Sequence, residues 1–271
     1  MYSMEPHIRE RIHRQLRCIP AAIRKDLPDK YEKIGDILII YLSPPLKPYK
    51  KDIGEAYRTA FSVKTVLLKG KIRGEFRVPD YQIIAGSDTA TVHKENSILY
   101  SLDLSKVMFS SGNIQERIRM SRLPHSEQVV DMFAGIGYFT LPIAKFCHSH
   151  VSAVEKNEQA YNFLCQNIAL NKVQSLVTPF LMDCKDFHGK ADRVIMGHPH
   201  ALKYLGKAFD IVETGFLHYH EFAPEGMINR AEHRLRTEAG KAGKDIAVQE
   251  IRKIKKYSPG VWHIVCDVQI F

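Results

Sequence analysis

This chain lacks the material for a disulfide framework, a metal ribbon or a membrane anchor. Its five cysteines, Cys18, Cys147, Cys165, Cys184 and Cys266, are odd in number, scattered, and nowhere arranged as C-x-x-C. They read as reduced, mostly buried thiols. No apolar stretch approaches the length that spans a bilayer, and the opening Met1-Tyr-Ser-Met-Glu-Pro-His7 has no apolar core of a secretory signal. The expectation is a soluble, cytoplasmic protein. A Walker loop and a nucleophile elbow are both absent, so triphosphatase and serine hydrolase readings have no support. Internal repeats and low-complexity tracts are missing as well.

What is there is a chain of 271 residues, 45 % hydrophobic, enough for one large or two modest domains with a real core. Its formal charge of +9 points to a polyanionic partner. His7, Arg9, Arg11, His13, Arg14, Arg17, Arg24 and Lys25 crowd the start, and Arg252-Lys-Ile-Lys-Lys256 lies near the end. Such clusters neutralise phosphates and release counterions, which favours RNA or DNA over a merely solvated face.

The hydrophobic rhythm changes along the chain. Asp36–Leu42, Lys64–Leu68, Glu75–Val78, Tyr81–Ala85 and Ser97–Leu102 read as short strands, interrupted by one helical piece, Ile53–Phe61. Lys69-Gly-Lys-Ile-Arg-Gly74 reads as a basic turn that touches a phosphate backbone or closes a hairpin. Residues 1–103 are therefore expected to form a small α+β domain with a basic N-terminal segment. From 104 to 271 strands alternate with helices, which calls for an α/β domain with a doubly wound parallel sheet. Ile114–Leu123 reads as a helix with Asn113 as N-cap and Glu116 completing a capping box, which puts Arg117 in its first turn. The last two strands, Ile246–Ile251 and Val261–Phe271, have no crossover helix between them and predict an antiparallel edge hairpin.

Val129-Val-Asp-Met-Phe-Ala-Gly-Ile-Gly-Tyr-Phe-Thr-Leu141 followed by Val151-Ser-Ala-Val-Glu155 reads as strand, glycine turn, helix, strand, acid. Gly135 and Gly137 let backbone approach a nucleoside, and Glu155 can accept both ribose hydroxyls. Thr140 stands where a dinucleotide loop carries its third small residue, so no pyrophosphate is called for. S-adenosylmethionine is the expected cofactor. Asp131 closes the first strand, Asp183 the third, and Gly197-His-Pro-His200 the fourth, each where ligands bind in such sheets. Asp183 is expected to accept from the adenine amino group, and the Cys184 amide to face the ring. His198, His200, His218 and His220 form two H-x-H pairs; with no further ligand pattern no metal is expected, and His200 or His218 is the candidate proton acceptor or base-stacking platform.

Phe109-Ser-Ser-Gly-Asn-Ile-Gln-Glu-Arg-Ile-Arg119, Asp131–Gly137, His93-Lys-Glu-Asn96 and Tyr257-Ser-Pro-Gly-Val-Trp-His263 together resemble the archaeal and eukaryotic tRNA guanosine-37 N1-methyltransferases and their wyosine-pathway relatives, from about Asp36 onward. The resemblance implies a class I methyltransferase-type fold behind a small RNA-binding domain, with the purine next to a tRNA anticodon as target; the expected partner is the anticodon region of tRNA(Phe), and the expected state a monomer. Carried over by position, Ser110, Arg117, Glu155, Asp183 and Cys184 match cofactor-binding positions of the aminocarboxypropyltransferase branch. The N1-methyltransferases have Asn-x-Pro after the fourth strand, where this chain has Gly197-His-Pro199. Glycine cannot orient a ring nitrogen but leaves room for a differently folded methionine chain. The branch then implied transfers the 3-amino-3-carboxypropyl group from S-adenosylmethionine to carbon 7 of 4-demethylwyosine. Arg117, with Ser110, would fix the methionine moiety. The alternatives are a guanosine-37 N1-methyltransferase and a non-catalytic tRNA-binding protein.

Overall fold

Ile37–Ile40 is buried along its whole length and pairs in parallel with Thr65–Leu68. Parallel neighbours need a crossover, and helix Lys50–Phe61 supplies it, burying Ile53, Ala56 and Tyr57 on one stripe. The Tyr57 hydroxyl finds its partner in the Pro28 carbonyl at 2.7 Å. The computed structural model describes residues 2–70, 72–74 and 78–271, and the chain divides into two compact units, Met1–Ser111 and Gly112–Phe271. In the first, a five-stranded sheet runs in the order Tyr2–Ser3, Lys30–Ile34, Ile37–Ile40, Thr65–Leu68, Gln82–Ala85. The expected strand Glu75–Val78 and the basic turn Lys69–Gly74 lie partly outside the described residues.

A separate hairpin, Ala90–Glu95 with Ile98–Asp103, turns on Asn96 and Ser97, both at positive φ, as a two-residue connection requires. Two of the motifs behind the resemblance meet in this unit. The His93 ring lies edge-on to Phe109 at 4.7 Å and its Nδ1 accepts from the Gly35 amide at 3.1 Å. Their role there is packing.

The second unit is built on seven strands: β1 (Gln128–Asp131), β2 (His150–Glu155), β3 (Val177–Leu181), β4 (Arg193–Met196), β5 (Gly215–Pro224), β6 (Ile246–Ser258) and β7 (Val261–Ile270). Their order in the sheet is β3-β2-β1-β4-β5-β7-β6. The first five are parallel; β7 is antiparallel to both β5 and β6, which is the expected edge hairpin. Helices α1 (Ile114–Met120), α2 (Thr140–Cys147), α3 (Glu158–Leu170), α4 (Leu205–Ile211) and α5 (Arg230–Lys241) complete it. The order reverses between β1 and β4, so the crevice at the carboxyl ends opens there. The core is apolar on both faces of β1 and β4, as a covered parallel sheet demands.

The start of α1 departs from expectation. It ends at Met120, not Leu123, and follows a 3-10 turn over Ser111–Asn113. The capping box does not form: the Asn113 side chain makes no cap bond, and Glu116 is engaged by Arg119. A buried ion pair outbids a surface cap when the helix lies against the sheet. Among the described residues no helix is long and apolar enough to cross a membrane.

Candidate functional site

Four neighbouring strands deliver one candidate residue each to the crevice, since Asp131 ends β1, Glu155 ends β2, Asp183 follows β3 and Gly197 follows β4. Gly135 (φ +57) and Gly137 (φ +98) take backbone conformations that L side chains avoid. A Cβ at Gly137 would lie 2.8 Å from Leu141 Cγ, so the loop is seated tightly on α2.

Two carboxylates hold that loop. The Gly135 amide donates to Glu155 Oε2 at 2.7 Å, and the Asn157 amide to Oε1 at 2.7 Å. Burial raises the Glu155 pKa, against the lowering effect of those amides. Asp131 is fully buried and accepts from the Thr140 hydroxyl at 2.8 Å and the Phe133 amide at 3.3 Å. Burial pushes its carboxyl up to about 6, partly offset by those bonds, with Glu155 adding to the rise. Thr140, read from sequence only as a missing glycine, thus ties the glycine loop to β1. Asn167 was missed as well; from α3 its Nδ2 donates to the Ile136 carbonyl at 3.0 Å. A buried asparagine in a helix is a signal, but its partner is 31 residues away.

Asp183 caps the turn Cys184–Asp186, accepting from the Lys185 amide at 3.1 Å, while Lys156 Nζ stands 3.8 Å from its other oxygen. Cys184 is buried, and burial first, with Asp183 beside it, pushes its thiol up to about 12. A thiol so raised is not a nucleophile.

At Gly197 a Cβ would meet Phe139 Cε2 at 2.7 Å and Cδ2 at 2.9 Å. The space that the glycine was expected to leave for a methionine chain is filled by this ring, which is itself buried and backed by His220 at 5.3 Å. Beyond Gly197, His198 lies 5.6 Å from Phe133, and the exposed His200 packs edge-on to Phe222 at 5.3 Å.

Arg117 is buried in α1, and a charge network fastens this helix to the sheet. Arg119 grips Glu116 at 3.0 Å and Asp267 at 2.8 Å; Asp267 binds His218 Nδ1 at 2.5 Å; Arg193 Nη1 meets His218 Nε2 at 2.7 Å and also pairs with Glu127. Burial opposes charge on Asp267, yet the His218 bond and Arg119 hold its carboxyl well below the usual range. His218 itself is lowered, by burial above all. Both its ring nitrogens are occupied. His220, two residues on, has Nδ1 3.0 Å from His263, while its Nε2 makes no hydrogen bond among the described residues and stands 4.0 Å from Glu116 Oε1. Ser110 lies in the first unit.

A model of the TRM5/TYW2 methyltransferase domain matches residues 91–248, and one of the TYW2 N-terminal domain matches residues 10–89. The chain is 43 % identical, over 99 % of its length and 98 % of the relative's, to a Pyrococcus horikoshii tRNA(Phe) (4-demethylwyosine(37)-C(7)) aminocarboxypropyltransferase. It is 45 % identical to the protein of that name from Methanocaldococcus jannaschii, covering 89 % of this chain and 97 % of the relative. The crystal structure of P. horikoshii TYW2 in complex with MeSAdo superposes with a TM-score of 0.89 at 41 % identity, covering 98 % of each chain.

Proposed function

From its membership of the TRM5/TYW2 methyltransferase family, to which this chain belongs, we propose that it transfers the 3-amino-3-carboxypropyl group of S-adenosylmethionine to carbon 7 of 4-demethylwyosine at position 37 of tRNA(Phe). The observation that carries the choice of group is Gly197, whose Cβ direction is filled by the Phe139 ring. A side chain that positions a guanine ring nitrogen for methylation has no room there.

The residues suit the donor. A carboxylate offers about four acceptor positions, and the two amides on Glu155 leave the others for ribose hydroxyls. Asp183 and the Cys184 amide recognise the adenine edge, and the bare backbone at Gly135 and Gly137 lets the loop come close. Bound S-adenosylmethionine supplies a sulfonium-activated Cγ, whose bond to sulfur breaks as the bond from carbon 7 forms, leaving 5′-methylthioadenosine. Arg117, buried in α1, anchors the methionine carboxylate and so selects the carbon presented. Much of the rate then comes from alignment of two reacting carbons. His200, exposed beyond Gly197, takes the proton lost from carbon 7; His218 serves the charge network. The first unit and its basic start bind the tRNA, and the chain acts as a cytoplasmic monomer.

The test is incubation with S-adenosylmethionine and tRNA(Phe) bearing the tricyclic base, with mass spectrometry of both products. Methylthioadenosine together with a four-carbon amino acid added to the tRNA is expected. S-adenosylhomocysteine with an added methyl would replace this reading by N1-methylation.

A further inference from the structure

Aromatic rings continue outward from the cofactor loop along the carboxyl ends of the strands. Phe133 follows β1, His198 and His200 follow β4, Phe222 lies near the end of β5 and Tyr257 near the end of β6. Successive centroids are 5.6 Å (Phe133–His198), 5.7 Å (His198–His200), 5.3 Å (His200–Phe222) and 3.9 Å (Phe222–Tyr257) apart. The last pair is stacked at an interplanar angle of 26°. Unlike core aromatics, this row ends in the open: Tyr257 is 51 % exposed and His200 is exposed. Water-facing flat rings beside a reaction crevice carry a cost in apolar exposure unless a ligand covers them.

Phe222 backs the Tyr257 ring, and the half of Tyr257 that stays exposed suits the flat face of a nucleobase. An enzyme that reacts on a base must take it out of its stack and replace the lost stacking.

We propose that the Phe222–Tyr257 pair, edged by His200, is the platform on which the target nucleobase of tRNA stacks when it enters the crevice beside Gly197. This rests on the reading of the chain as a tRNA-modifying enzyme. Tyr257 is then a specificity-determining residue, and Phe222 props its ring.

A binding cycle tests it without turnover. Affinities of the intact protein and of Tyr257→Ala are measured for tRNA(Phe) carrying the tricyclic base at position 37 and for the same tRNA with that base removed. The native protein should prefer the intact tRNA by roughly ten- to a hundred-fold, Tyr257→Ala should bind both alike, and Tyr257→Phe should restore the preference. S-adenosylmethionine affinity should not change in either variant. If the alanine variant fails to hold S-adenosylmethionine, Tyr257→Leu, which keeps apolar bulk without a ring, reads the same difference. A preference that survives loss of the ring, or a native protein blind to the base, overturns the platform while leaving the transfer reaction standing. A native protein that binds neither tRNA overturns both.

Discussion

In the proposed site Glu155 and Arg117 divide the handling of the donor, and each makes a separable prediction. Glu155→Ala removes the acceptor for two hydroxyls and the lock on the Gly135 amide. S-adenosylmethionine affinity should fall by about a hundredfold or more, as loss of charge-assisted bonds implies. Isothermal titration measures it, and unchanged affinity would remove Glu155 from the site. Arg117→Ala should abolish transfer while leaving tRNA affinity within about threefold, since its part is to fix the methionine chain; equal loss of both would sink that role. At this scale the sequence was readable where residues meet through spacing along one strand and turn. Asp131, Gly135, Gly137 and Glu155 lie within 25 residues of one another and fall together as their spacing predicts. Phe139 and Asn167 were not readable, because each matters only through a partner the sheet brings to it.

Elements explain the rest of the chemistry. The loop after β4 and the start of α2 are fitted to each other through Gly197 and Phe139, so Gly197→Asn should displace the ring before it positions any base. Transfer should fall at least tenfold without a matching rise in S-adenosylhomocysteine, as product analysis will show. Strand β5 carries a different liability. His220 is wholly buried, and its pKa is lowered from 6.5 to about 3, by burial first and then by His218 and Arg119. The unfolded chain therefore binds the proton more readily, and this contribution to stability is present above pH 6.5 and lost as pH falls toward 3. Asp131 acts in the opposite sense, favouring the folded state below pH 3.8 and losing that effect as pH rises through about 6. His220→Asn should flatten the pH dependence of urea unfolding between pH 6.5 and 4, by up to about 1.4 kcal/mol per pH unit. An unchanged slope would mean that the imidazole does not stay neutral. The alternating histidines of β5 were visible in the sequence, but not that they face α1 and β7, because pairing across strands is decided by topology. The failed capping box at Asn113 is a local signal overruled by an ion pair within the same helix, whose Arg119 is held in turn by Asp267 of β7.

For the whole molecule, net charge governs the partner. The +9 charge and its two basic clusters predict that tRNA affinity falls linearly with the logarithm of salt concentration. Between about 50 and 200 mM the loss should reach roughly a hundredfold, while S-adenosylmethionine affinity hardly moves. A flat response in filter binding would assign the clusters to solvation. The alternation of strands and helices after residue 104, and the lack of a crossover before the last strand, made the second sheet legible in advance. The small sheet of the first unit was less so, since its strands are short and one is only two residues long.

The edge strand β6 has a bearing on how copies of this chain treat each other. It is thirteen residues long and forms the outer border of the sheet, a template onto which a second molecule could zip. Its register with β7 slips at three places, and Arg252, Lys253, Lys255 and Lys256 line it. Bulges spoil the even row of donors and acceptors that strand addition needs, and like charges meeting across such a seam repel. A border so broken and charged disfavours pairing with its own kind, and an uncharged edge of the same length would lack that protection.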